Sequence, residues 1–210
     1  MKKGALLALA AAGAAAAVGA GATLALFTDS KTTALDFAAS TLCITAERDE
    51  GDPVPGPMFY ITPEQGGTPD GRNGINPTGL WAPGDKHSKT LTVYNPKSCS
   101  SQDAWLTSVQ ARLTEGVPNQ YEAMADVLHV AVKAPWHGVD TVVGEGSLRQ
   151  FLQGAVPIRY PDGSKIPLIL TSNVQMKFEV TFDLDAGNEF QDKTLVVDFL
   201  VNAEQVRNNP

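Results

Sequence analysis

An all-β fold, an antiparallel two-sheet sandwich, is what this sequence predicts, and three observations carry the prediction. From Val174 to Leu184 every second residue is apolar and every intervening one polar, which places one face of a strand on a core and the other in water. Several further short segments of strand character follow the same logic, with turn-forming residues between them. Only two short helices are expected, near Asn119–Ala125 and Gly146–Gln153. Seven or eight such strands suggest a jelly-roll-like sandwich, although the pattern does not separate that topology from an immunoglobulin-like one.

Taken in order, the chain opens with Met1, Lys2 and Lys3 and then an Ala/Gly/Leu/Val run from Gly4 to Ala22. A positive start, an apolar stretch and small residues before Phe27 read as an export signal, residues 1–25, with cleavage at Ala25 and Leu26. The competing reading is a retained membrane anchor, which the weak hydrophobicity of alanine and glycine disfavours. Cleavage leaves 210 − 25 = 185 residues, enough for one domain with its own core. No other apolar run is long enough to cross a bilayer, so no membrane contact is expected after cleavage.

Residues 26–38 form an N-terminal arm. Phe27, Leu35 and Phe37 share one parity, but Asp29, Lys31 and Thr33 interrupt that face. Fully extended, Phe27–Phe37 reaches ~36 Å at about 3.3 Å per residue. Such an arm can lie along its own sheet, add as a strand to a neighbour's open edge, or stay without order. If each arm enters the next copy, the contact is head-to-tail and grows a filament.

Residues 39–210 form the sandwich. Strands are expected at Thr41–Glu47, Lys89–Asn95, Trp105–Leu113, Val127–Lys133, Lys165–Leu170 and Val174–Leu184, with a last one marked by Leu195, Val197, Phe199, Val201 and Ala203. The last two are expected to form a hairpin across Asp185–Glu189. Pro161-Asp162-Gly163 is a turn, because proline presets φ and glycine accepts positive φ. The Pro/Gly-rich Asp52–Gly79 region reads as a long surface loop.

The charge balance limits partners. Without Lys2 and Lys3 the net charge is 14 − 23 = −9. A surface this acidic resists nucleic acid, and no basic patch with interleaved aromatics is present. The two cysteines, Cys43 and Cys99, suggest a disulfide in an exported protein; two separate buried thiols are the alternative. A bridge closing a loop of that length stabilises by ~4 kcal/mol from chain entropy.

Enzymatic signatures are sparse. None of His87, His129 and His137 stands in His-Glu-x-x-His spacing, so no metal site is expected. There is no Gly-x-Ser-x-Gly elbow, and pairing a cysteine with His129 competes with the simpler bridge. Carboxylates cluster at Glu47, Asp49, Glu50 and Asp52, and at Asp183, Asp185 and Glu189. Neither group has EF-hand spacing. Solvated acidic loops account for both, with Ca²⁺ as the alternative and no other cofactor implied.

Four segments carry a family resemblance. The junction Gly21-Ala22-Thr23-Leu24-Ala25-Leu26-Phe27-Thr28-Asp29 resembles that of proteins processed by a SipW-type signal peptidase. Phe37-Ala38-Ala39-Ser40-Thr41-Leu42, Leu80-Trp81-Ala82-Pro83-Gly84-Asp85 and Asn188-Glu189-Phe190-Gln191-Asp192-Lys193-Thr194-Leu195 are similar, in the same order, to motifs of the TasA and camelysin (CalY) family of biofilm-matrix fibre proteins. The resemblance implies a jelly-roll subunit of an extracellular Gram-positive fibre, joined by N-terminal donor-strand exchange, with Phe27, Leu35 and Phe37 as donor anchors. The partners it implies are other copies of the chain, a SipW-like peptidase during export, and a co-secreted accessory matrix protein. Some members are classed as metallopeptidases, so a camelysin-like protease is one alternative. A monomeric surface-binding module using the Asp52–Gly79 loop is another. Asp192 stands where the family has glycine, so that turn needs a residue that tolerates positive φ. The cysteines are not a family feature.

Overall fold

A computed structural model describes residues 28–30, 42–48, 58–61, 81–117 and 119–206. These form two antiparallel sheets packed face to face in a jelly-roll-like β-sandwich. One sheet runs, by spatial order, β2 (Thr45–Arg48), β4 (Lys86–Tyr94), β10 (Asn173–Phe182), β6 (Leu128–Trp136), β7 (Val139–Ser147). The other is built on β11 (Leu195–Gln205) and β5 (Ala104–Leu113). On the outer side of β11 lie two short strands, β1 (Thr28–Ser30) and β3 (Phe59–Ile61); on the outer side of β5 lie β8 (Val156–Pro157) and β9 (Ile166–Leu168).

The alternation in β10 is what the sequence predicts. Met176, Phe178, Val180 and Phe182 are buried, and the polar residues between them face outward. In β6, Leu128, Val130, Val132 and Ala134 do the same. In β5 the buried parity slips from Ala104 and Leu106 to Val109 and Ala111. The ladder shows why: Asn202 faces Ser108 while Ala203 faces Leu106, so Thr107 is an extra residue in a bulge. Aromatic packing centres the core on Phe199, with Phe178, Phe59 and Phe151 ring centroids at 4.9, 6.0 and 6.0 Å.

The helical expectations hold in shortened form. The segment near Asn119–Ala125 is a 3-10 turn at Glu122–Asp126. The second is α1 (Leu148–Gln153), which starts at Leu148 because Ser147 caps it. Gln150 N donates to Ser147 Oγ and Ser147 N donates to Gln150 Oε1, which satisfies two N–H groups at the helix start. Leu148 and Phe151 turn inward.

Three features differ from the sequence expectation. The expected hairpin of the last two strands does not form: β10 and β11 belong to opposite sheets. Their connection, residues 183–194, contains a 3-10 turn at Asn188–Phe190 and packs Phe190 on Phe182 and Tyr121. It is long enough to cross the roughly 10 Å between sheets, whereas a hairpin needs a tight turn. Second, Phe59–Ile61 inside the supposed surface loop is a strand with all three side chains buried. A run of apolar residues bounded by Pro and Gly is how a strand buried on both faces reads. Third, β7 was not expected, because Gly144 and Gly146 interrupt it. Gly144 is needed there: a Cβ would lie 2.9 Å from Ile158 Cγ2, where β7 packs on the β8 segment.

The turns behave as their chemistry predicts. Asp192 has φ of 56°, a left-handed conformation that aspartate tolerates. Gly163 has φ of 83° in the turn after Pro161. His137 and Gly138 both have positive φ in the two-residue turn joining β6 to β7.

Candidate assembly site at the edge of the last strand

The N-terminal arm and the outer edge of β11 are brought together. β1 pairs antiparallel with β11 in the register Thr28–Glu204, Asp29–Ala203, Ser30–Asn202. β3 occupies the other half of that edge, Phe59 facing Val197 and Ile61 facing Leu195. Between the two, among the described residues, no strand pairs with Asp198–Val201 on this side. Among the described residues the arm is therefore held by a ladder of three residue pairs, against nine pairs between β4 and β10. A ladder this short on a sheet edge is the kind of pairing that another chain can replace.

The inner side of the same segment of β11 is firmly held. Thr107 Oγ1 donates to the Asn202 carbonyl at 3.2 Å, and Asn202 Nδ2 donates to Ser108 Oγ at 3.0 Å. Glu204, opposite Thr28, is paired with Lys165. β11 is thus firmly paired on its inner side, while β1 covers only three of its residues on the outer side among the described residues.

A buried ion pair lies where β1 and β3 leave the edge open. Arg48, the last residue of β2 in the opposite sheet, donates from Nη2 to Asp198 Oδ1 at 3.1 Å, and the two side chains are 2% and 7% exposed. Phe199 N donates to the same oxygen at 2.9 Å, and Arg112 Nη2 stands 3.6 Å from Oδ2. Burial pushes the Asp198 carboxyl above its ordinary pKa, opposed by Arg48 and Arg112. The pair ties the two sheets together at this edge. Sequence reasoning missed it. The signal was there, since Asp198 is the one charge in the apolar run from Leu195 to Val201.

Of the residues singled out by sequence, Phe27, Leu35 and Phe37, and the cleavage residues Ala25 and Leu26, lie outside the described residues. Cys43 and Cys99 form a disulfide, with Cα atoms 5.6 Å apart. It joins the chain just before β2 to the turn after β4, in which Cys99 N donates to the Pro96 carbonyl.

The candidate catalytic and metal residues are dispersed. His129 sits on the exposed face at the start of β6, and His137 beyond its end, roughly 26 Å of strand away. His87 stacks on Trp81 at 4.2 Å; its partial burial lowers its pKa against the opposing charge of Asp85. Among the described residues no three His, Cys, Asp or Glu side chains converge on a point that suits a metal ion. In the acidic clusters, Glu47 accepts from the Tyr94 hydroxyl, and Asp183 Oδ1 accepts from Asp185 N. Asp49, Glu50 and Asp52 lie outside the described residues.

An open groove of about 610 Å³ at the far end of the β4–β10–β6 sheet is lined in part by Asp126, His129, Ser147 and Leu184. Two of its polar residues already have structural partners. Asp126 is bound by Arg149, whose Nε donates to Oδ1 at 2.9 Å, and Ser147 caps α1. Among the described residues no helix is long and apolar enough to cross a membrane. In comparisons with known proteins, no family model matches the chain and no curated protein is similar enough to count as a match.

Proposed function

We propose that this chain is a secreted structural subunit that polymerises head-to-tail, each copy lending its N-terminal arm to the β11 edge of the next. The carrying observation is the pairing of Thr28–Ser30 with Asn202–Glu204 by a three-pair ladder on the outer side of a strand firmly paired on its inner side. In a single copy the arm closes on its own sheet. In a polymer the same hydrogen bonds form between copies, so exchange costs little in contacts. The balance is then set by concentration. A short tether holds the arm near its own edge at an effective concentration of order mM, which a neighbour must match. The resemblance to TasA and camelysin proteins supports the same reading and extends it to an extracellular biofilm matrix, export through a SipW-like peptidase and an accessory protein. The disulfide is compatible with an oxidising compartment outside the cell.

Electron microscopy of the chain from residue 26, with and without residues 27–37, tests the reading. Fibres are expected only from the chain that keeps the arm, and the deletion leaves a folded monomer. Fibres that survive the deletion overturn the proposal. A casein-cleavage assay with and without chelator separates it from a camelysin-like protease, for which chelator-sensitive activity is expected. A chain that stays monomeric at millimolar concentration favours the surface-binding module instead.

A further inference from the structure

We infer that the Cys43–Cys99 disulfide is the boundary of the exchangeable segment: β1, upstream of it, leaves the subunit, and β2 stays. This inference rests on the reading of the arm as a donor strand and adds to it the point where donation stops.

The argument begins with β2. Among the described residues it is an edge strand of four residues, paired with β4 alone, from Thr45 facing Tyr94 to Arg48 facing Leu91. It is the first strand after β1 among the described residues, so a neighbour that captures β1 pulls next on the chain that leads into β2. A four-residue edge ladder is a weak stop by itself. Losing it would also draw Arg48 away from Asp198 and leave a buried carboxylate without its closest guanidinium.

The disulfide lies at the position that prevents this. Cys43 lies two residues before the start of β2, and Cys99 lies in the turn that closes β4. β4 is an interior strand, between β2 and β10, with nine residue pairs to β10. Displacement at residue 42 is therefore passed through sulfur to the β4 turn and bypasses the β2 ladder. Leu42 and Ile44, on either side of Cys43, are buried at 6% and 3% exposure, so the covalent anchor is flanked by core residues. Upstream, nothing covalent ties β1 to the body except the chain itself.

The test compares wild-type protein with the C43A/C99A variant. In dilute monomer, hydrogen exchange of residues 44–48 is read by mass spectrometry, with β10 and β11 as fold controls. The variant is expected to lose protection at least about tenfold in 44–48 while β10 and β11 keep theirs. In polymer grown from equal amounts of ¹⁴N- and ¹⁵N-labelled subunits, a photoreactive residue at Glu47 reports its β4 partner. Wild-type crosslinks are expected to be same-isotope, and the variant is expected to give about half mixed-isotope crosslinks, as random exchange of β2 requires. Unchanged protection with same-isotope crosslinks in the variant overturns the inference. So does collapse of β10 and β11 protection, because the bridge then holds the whole sandwich. If neither protein polymerises, the donor-strand reading fails, and the monomer exchange decides the boundary.

Discussion

Replacing Arg48 with methionine tests how the two sheets are locked at the β11 edge. Arg48 and Asp198 are 2% and 7% exposed and 3.1 Å apart, so the variant leaves a carboxylate in a dry site without its nearest cation. Removing one member of a buried pair costs about 3–5 kcal/mol. Arg112 stands 3.6 Å from Oδ2 on a side chain that is 39% exposed, and can swing in to take part of the load. The lower end, about 3 kcal/mol, is therefore expected. With a urea m-value of about 2 kcal/mol/M, the midpoint falls by about 1.5 M. The deficit also depends on pH with a definite sign. Burial already raises the Asp198 pKa, so the folded state binds this proton more tightly than the unfolded chain. Loss of Arg48 raises it further. The penalty is full at pH values above the folded pKa and disappears as pH falls below the ordinary carboxylate range. Urea unfolding of wild type, R48M and R48M/D198N near neutrality and in mild acid checks this, with the double variant recovering most of the loss. A midpoint shift under about 0.5 M, or a deficit that is the same in acid and in the double variant, refutes the reasoning.

Three further outcomes are expected. Phe199→Ala opens a cavity among Phe59, Phe151 and Phe178 and should destabilise by ~3–5 kcal/mol in the same unfolding assay. Glu179 is held below its ordinary pKa by hydrogen bonds from Lys86 and Lys133, so its contribution is present above the unfolded value and lost as pH falls through the lowered one; Glu179→Gln should flatten the acid limb of stability against pH by less than about 1 kcal/mol, given water access. Inserting about eleven Gly/Ser residues between Ala38 and Ala39, which doubles the connection from β1 to Leu42 and leaves Phe27–Phe37 intact, should weaken closure of β1 on its own sheet by about 0.6 kcal/mol and lower the concentration for polymer growth about threefold, read by light scattering; an unchanged threshold would show that closure does not compete with assembly.

What local sequence determined is each residue's side of a strand and the chemistry of each turn. The period-two pattern of β10, the positive φ of Gly163 after Pro161 and the pairing of Cys43 with Cys99 follow from neighbours along the chain, or from there being only two cysteines. The tertiary structure decided which strand each one meets. Alternation is identical whether β11 pairs with β10 or faces it across the core, so the crossover through 183–194 was not legible. β3 and β7 escaped notice because burial on both faces and glycines that admit Ile158 erase the alternation. The Arg48–Asp198 pair spans 150 positions, and its members share no local pattern. The arm's place on β11 is of the same kind: three backbone pairings that depend on an edge assembled from the opposite end of the chain.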